Sequence, residues 1–281
     1  MKVRIVVDSA ADIKDSIRER VSIVPLTVTF GQEEYLDGIT ITHHQFYEKL
    51  IESDVLPTTS QATPTAFAEV FAQAAEAGES VVCVTVSSKL SGTYQSAVIA
   101  AQDFENIYVV DSKSAAIGEG ILAELALAQA DNGLSAHQIA CRLEQDRENI
   151  VVIAMLDTLE YLKKGGRISK TVAFAGGLLN IKPVVCLRRG EIIMLGKARG
   201  SKQGNNLLVS EIERSGGVDF SRPILLGYTG LTDIYLRKYI EDSSRLWQGK
   251  TQQLATAIIG SVIGTHVGPG AIAAAFYRKE Q

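Results

Sequence analysis

Two hundred and eighty-one residues, 46% hydrophobic and 21% charged, make a globular chain long enough for two ordinary domains, which excludes a disordered tail or a collagen-like fibre. Twenty-eight Lys and Arg against 32 Asp and Glu leave a formal charge of −4. A surface that mildly acidic, on a chain with only 6% aromatics, argues against broad nucleic-acid binding.

Val3–Val7 reads as a buried strand, and Asp12 as the cap of a short helix after it. Ser22–Phe30 alternates apolar and polar residues up to Gly31, which predicts a solvent-facing β excursion near 22–40. Thr63-Pro64 opens a helix with its cap before an N1 proline, and Phe67, Val70, Phe71, Ala74 and Ala75 give that helix one apolar face. Ser80–Val86 is a second buried strand, Thr93–Ala101 a helix and Ile107–Val110 a third strand. Helical patterns follow at Ala115–Ala130 and Ala136–Arg147. Strands alternating with helices predict a parallel sheet covered on both faces.

Past residue 150 the rhythm changes. Val151–Leu156 is a strand, and Leu159–Lys164 a short helix stopped by Gly165-Gly166. Pro183–Arg188 and Glu191–Lys197 flank Arg189-Gly190 as a hairpin. A helix near Asn206–Arg214, a strand Ile224–Tyr228, a helix Asp233–Leu246 and two final β runs complete the chain. The expectation is an α/β protein of two domains, a parallel-sheet domain over 1–150 and a mixed α/β domain over 151–281.

Three cysteines, Cys83, Cys141 and Cys186, lie far apart without a Cys-x-x-Cys pair, so they read as buried free thiols rather than as a zinc or redox motif. The N-terminal apolar stretch is too short for a secretory leader. The most apolar tract, 257–275, is interrupted by His266, Pro269 and glycines, short of the roughly 20 residues of a membrane span. A cytoplasmic protein is expected.

Three polar loops follow strands in the first half: Asp8-Ser9, Ser87–Thr93 and Asp111-Ser112. The carboxyl ends of parallel strands form the ligand crevice of open α/β sheets. Ser91-Gly92-Thr93 stands where a helix begins, so backbone N–H groups and hydroxyls converge on a natural anion site. Its bland alternative is helix capping alone. Thr58–Gln61 is a second hydroxyl cluster, and Thr265–Gly270 sets His266 among small residues that leave it room to face a cavity. No Gly-x-Ser-x-Gly elbow and no Gly-x4-Gly-Lys-Ser/Thr phosphate loop is present. Gly118–Ala123 matches a dinucleotide fingerprint by letters only, since it falls within a helical run. His43-His44 are adjacent rather than four apart, so no metal site is expected. An enzyme would have to draw on Asp8, Ser88 and His266 as an acid–base or nucleophilic set.

Taken in order, Asp8-Ser9-Ala10-Ala11-Asp12, Leu56–Gln61, Ser87–Ala97, Leu162–Ser169, Lys182-Pro183 and Gly264–Gly270 span nearly the whole chain. As a set they resemble the DegV family of bacterial fatty-acid-binding proteins. The resemblance implies a ligand tunnel between two α/β domains, with a long-chain fatty acid as bound ligand and no other cofactor. It places the acyl carboxylate at Thr59, Ser91 and His266, with the backbone of Gly92 close by and Arg167 near the site. It further implies a separate ATP-dependent kinase that phosphorylates the bound acid, meeting the carrier at a surface that includes Arg199. The carrier itself then has no catalytic residues, and meets a membrane surface only transiently, for lipid exchange. About 15 buried methylenes are worth roughly 12 kcal/mol before the costs of binding. Small-residue segments at Val172–Leu179 and Ile258–Gly264 are expected to line the tunnel. Lys182, Arg188, Arg189, Lys197, Arg199 and Lys202 are expected to form one basic docking face on the hairpin.

Overall fold

The computed structural model describes residues 2–168 and 180–279. The first half runs β1 (Val3–Asp8), α1 (Asp15–Arg18), β2 (Val21–Val24), β3 (Thr27–Phe30), β4 (Glu33–Leu36), α2 (His43–Glu52), β5 (Thr58–Ser60) and α3 (Pro64–Glu76). It continues through β6 (Ser80–Thr85), α4 (Thr93–Ala101), β7 (Ile107–Asp111), α5 (Ile117–Asp131) and α6 (Ala136–Asp146). Its main sheet has the order β2-β1-β6-β7 and is parallel throughout. Runs such as Ser80–Thr85 are buried at every position, as a strand covered on both faces must be. Three helix starts follow their sequence signals. Thr63 accepts from Ala66 N ahead of the N1 proline, and Thr42-Gln45 and Ser135-Gln138 form capping boxes.

The second half contains β8 (Ile150–Met155), α7 (Glu160–Lys164), β9 (Ile181–Arg188), β10 (Glu191–Arg199), α8 (Gly200–Arg214), β11 (Leu225–Tyr228), α9 (Ile234–Asp242), β12 (Thr256–Ile258), α10 (Ser261–Val267) and β13 (Ile272–Tyr277). One mixed sheet holds its strands in the order β10-β9-β8-β13-β11-β12; only β11 and β12 run parallel. The hairpin turns on Arg189 and Gly190, whose φ values of 52° and 83° are the two positive values a two-residue hairpin turn needs. Gly190 also lies against the first domain: a Cβ there would stand 2.5 Å from Ser87 Oγ, and its carbonyl accepts from that hydroxyl at 2.8 Å.

Helix α5 is the shared layer between the sheets. Leu122, Ala123, Ala126 and Leu127 pack on Ile5, Val7, Val82 and Val84, while Ile117 and Ile121 pack on Val152, Leu225, Ala273 and Ala275. Gly118 and Gly120, the letters of the false dinucleotide fingerprint, serve this packing. A Cβ on Gly118 would stand 2.3 Å from Val152 Cγ2, and one on Gly120 would stand 2.1 Å from the Asp12 carbonyl.

Four local expectations are corrected. The β excursion is two structures: β2 joins the parallel sheet as its edge, and β3 pairs with β4 and with β5 in a separate antiparallel sheet. Val28 and Phe30 of β3 are buried in the core beneath α2, so that sheet does not merely face solvent. Asp12 caps no helix; α1 starts at Asp15, and the Asp12 carboxylate accepts from Gly260 N at 2.7 Å. Cys141 lies exposed on α6, whereas Cys83 and Cys186 are buried.

Candidate functional site

Between the two sheets lies a cavity with about 990 Å³ of empty space, counting the part open to solvent. Its walls are aliphatic and come from both domains: Leu26 and Val86 from one, Ala154, Val185 and Leu187 from the other, with Ile263 of α10. Alanines at 10, 115, 116, 154, 271 and 273 leave the space that larger side chains would fill.

The polar groups gather on three elements. Thr59 stands in β5, Ser91 in the loop before α4, and His266 at the C-terminal turn of α10. Thr59 Oγ1 and His266 Nε2 are 2.8 Å apart although 207 residues separate them. Ser91 Oγ is 2.8 Å from Thr93 Oγ1. All of Thr59, Ser91, His266 and Arg167 line the cavity. Arg167 is the only formally charged side chain among the described residues that line it. Its Nε donates to Leu90 O at 3.2 Å and its Nη1 to Gly165 O at 2.6 Å, so it ties the loop carrying Ser91 to the turn after α7.

His266 is held neutral. Burial first, and the nearby Arg167 guanidinium second, bring its pKa down to about 4. Its Nδ1 is buried without a hydrogen-bond partner. Gly165 makes room for the ring: a Cβ there would stand 2.2 Å from Nδ1. The α10 helix is fixed at its other end by the first domain. Tyr47 Oη donates to Ile259 O at 2.7 Å, Asp12 holds Gly260 N, and Gly264 packs so closely that a Cβ would stand 2.6 Å from Tyr47 Oη.

Other expected residues lie elsewhere. Gly92 is the N-cap of α4 and does not line the cavity; its Cα abuts the Gln61 amide, where a Cβ would stand 2.0 Å from Oε1. Gln61, which lines the cavity and donates to Ser96 Oγ at 2.8 Å, is the better polar candidate at that point. Arg199 is exposed where β10 passes into α8, outside the cavity. Asp8, Ser88 and His266 do not form one set, because neither Asp8 nor Ser88 lines the cavity. Asp8 is buried and accepts from Ala10 N and Val86 N at 2.9 and 2.7 Å; the exposed Ser88 donates to Asp111 at 2.6 Å. Ile259, Val262 and Ile263 line the cavity as the 258–264 segment implied, and Val172–Leu179 lies outside the described residues. The six hairpin cations do not form one face. Arg188 pairs across the hairpin with Glu191, and Arg199 with Ile181, seven residues further along β9 and so roughly 24 Å away.

An apolar cavity ending in hydroxyls, a neutral imidazole and one guanidinium suits an apolar chain with an anionic head. Among the described residues, no group of three His, Cys, Asp or Glu side chains is placed to hold a metal ion, and no helix is long and apolar enough to cross a membrane.

The family model described as an uncharacterised protein of the DegV family matches residues 2–279. A fatty acid-binding protein of Thermotoga maritima is 31% identical over 97% of this chain and 96% of its own. A structure described as fatty acid binding of a DegV family protein from Thermus thermophilus superposes with a TM-score of 0.86 at 32% identity, covering 99% of this chain and 100% of that one. A stearic acid-binding protein from Eubacterium ventriosum superposes with a TM-score of 0.85 at 28% identity, covering 99% of each chain.

Proposed function

The chain belongs to the DegV family, and on that premise we propose that it is a non-catalytic cytoplasmic carrier that binds a long-chain fatty acid. The acyl chain fills the cavity between the domains, whose boundary we place near residue 150, and the carboxylate meets Thr59, Ser91 and His266. The observation that carries this reading is the lining itself: aliphatic walls from both domains, with every strongly polar group at Thr59–Gln61, Ser91, Arg167 and His266. A carboxylate buried there without donors would be expensive to desolvate. The Ser91 hydroxyl and one hydrogen from the Thr59–His266 pair (His266 Nδ1–H when Thr59 donates to Nε2, or the Thr59 hydroxyl when Nε2–H donates to it) can supply them, with Arg167 adding positive charge.

The carrier presents its carboxylate to a separate ATP-dependent kinase, which forms the acyl phosphate. The chain has no Gly-x4-Gly-Lys-Ser/Thr loop, and exposed Arg199 belongs to the kinase-facing surface. The decisive experiment is denaturing extraction of the purified protein followed by mass analysis. One long-chain fatty acid per chain is expected; a chain that stays empty and takes up no fatty acid on titration overturns the reading. Loaded protein with ATP alone should yield no acyl phosphate, and adding the kinase should yield it. If no kinase acts on the bound acid, the protein stores or senses fatty acid instead.

A further inference from the structure

A second concavity opens where the hairpin tip meets the first domain, with about 1470 Å³ of empty space counting its open side. Its lining is unlike that of the apolar cavity. Lys113 and Arg147 come from one domain, and Arg188, Arg189, Arg214 and Arg278 from the other. Among the described residues only two carboxylates, Glu148 and Glu211, line the groove with these six cations, on a chain whose formal charge is −4. Glu148 is engaged by Lys113, and Glu211 by Arg214. Arg278 rests on Asn149 Oδ1 through two donors, at 3.2 and 3.1 Å. Arg147 is engaged: it donates an Nη1 hydrogen to Asp111 O at 2.6 Å and lies 4.0 Å from Glu144 and 3.9 Å from Glu148. Arg188 and Arg189 are exposed and make no ion pair among the described residues.

Guanidinium groups crowded into a concave site repel one another and focus a positive potential there. Their planar forks match phosphate oxygens two at a time. A flat face would suit an acidic protein, but these arginines line a cleft walled by two domains, which suits a small ligand. We propose that this groove binds a small anion carrying two or more adjacent phosphates, with Arg188 and Arg189 supplying the unspent donors. The groove shares Val152, Cys186 and Leu187 with the apolar cavity, so one layer of side chains separates the two sites.

The test is isothermal titration of the full-length protein with inorganic pyrophosphate at low salt, with orthophosphate and a poly-glutamate peptide in parallel. Pyrophosphate should bind at least about tenfold more tightly than orthophosphate. Binding should weaken several-fold as salt rises from about 50 to about 200 mM. Replacing both Arg188 and Arg189 by Gln should weaken it about 10- to 150-fold, and the charge reversal R188E/R189E should weaken it further. Arg245→Glu, an exposed cation outside the groove, should change it less than about twofold. Unchanged melting temperature and unchanged fatty-acid content in each variant separate loss of the site from loss of the fold. Equal, millimolar binding of both phosphates, or binding indifferent to the two arginines, would mean adventitious surface charge and overturn the proposal. Poly-glutamate binding more tightly than pyrophosphate would overturn it in favour of an acidic protein partner.

Discussion

Two polar clusters, one at the carboxyl ends of β1 and β6 and one at the polar end of the cavity, treat hydrogen bonding in opposite ways. At the ends of β1 and β6 the polar groups of Asp8, Ser9 and Ser87 are spent inside the fold. Asp8 takes two backbone N–H groups, Ser9 Oγ accepts from Leu26 N at 3.0 Å, and Ser87 Oγ is given to the hairpin tip. At the cavity's polar end, Ser91 and Thr93 bond to each other, Thr59 to one nitrogen of His266, and the other nitrogen to nothing. Hydroxyls and carboxylates at strand ends are therefore no sign of a ligand in themselves. The sign is donor capacity left over beside an apolar space.

The comparison is sharpest when both clusters are mutated. Asp8→Ala leaves Ala10 N and Val86 N buried and unpaired. It should lower stability by about 2–4 kcal/mol, read as a shift of the denaturant midpoint at unchanged slope, while variants at the cavity end should barely move that midpoint. Ser91→Ala and His266→Ala should each weaken fatty-acid binding about 10- to 150-fold, the loss of one hydrogen bond to a charged group. If Ser91→Ala unfolded the protein as readily as Asp8→Ala, or if both cavity variants bound fatty acid normally, the division between the clusters would fail.

Acidity separates the clusters as well. Burial raises the Asp8 carboxyl to about 7, above its unfolded value, despite two backbone bonds that pull it down. The folded state therefore holds that proton more tightly, and the stabilisation it gives below pH 4 is lost as pH rises through about 7. Wild type should lose stability relative to Asp8→Asn across that window; parallel pH profiles would contradict it. His266 has the opposite sign. Its folded pKa is depressed to about 4, so its stabilising contribution is present above pH 6.5 and lost as pH falls toward 4. Nitrogen-detected NMR should find a neutral ring at pH 5.5, and a bound carboxylate should raise its titration midpoint. The smallest effect belongs to Ser88→Ala, whose exposed bond to Asp111 should be worth less than about 1 kcal/mol and whose loss should leave fatty-acid binding intact. A Ser88→Ala protein that lost binding would restore Ser88 to the site.

The parallel core was legible because continuous apolar runs such as VVCVTV have few alternatives to a doubly covered strand. Thr58–Ser60 was not: three exposed or half-exposed polar residues carry no strand signal and become β5 only because β3 offers an edge. The separation of β2 from β3 hangs on pairing with β1, which is long-range information. At the site, Thr59, Ser91 and His266 were found as members of a motif set rather than from spacing, since 207 residues separate the contacting pair. The cavity walls went largely unread, because Ala154, Val185 and Leu187 look like any other sheet residues. The clustering of Arg147, Arg214 and Arg278 beside the hairpin tip had no sequence trace, as each comes from a different element. Reading Arg188 and Arg199 as one face failed because closeness along a hairpin is measured across its strands, not along them.

The helix carrying His266 is fastened to residues more than two hundred positions earlier, through Tyr47 to Ile259 and Asp12 to Gly260. During synthesis the first domain must therefore wait until α10 has been made before these contacts can close. Ordering such distant partners slows assembly. A nascent chain stopped at residue 150 would expose the apolar surfaces of Phe46, Tyr47 and Val86 that α10 and the cavity otherwise cover, and would be prone to association. The ligand-binding space does not exist until α10 is in place, so cargo can be loaded only after that helix has docked on the first domain.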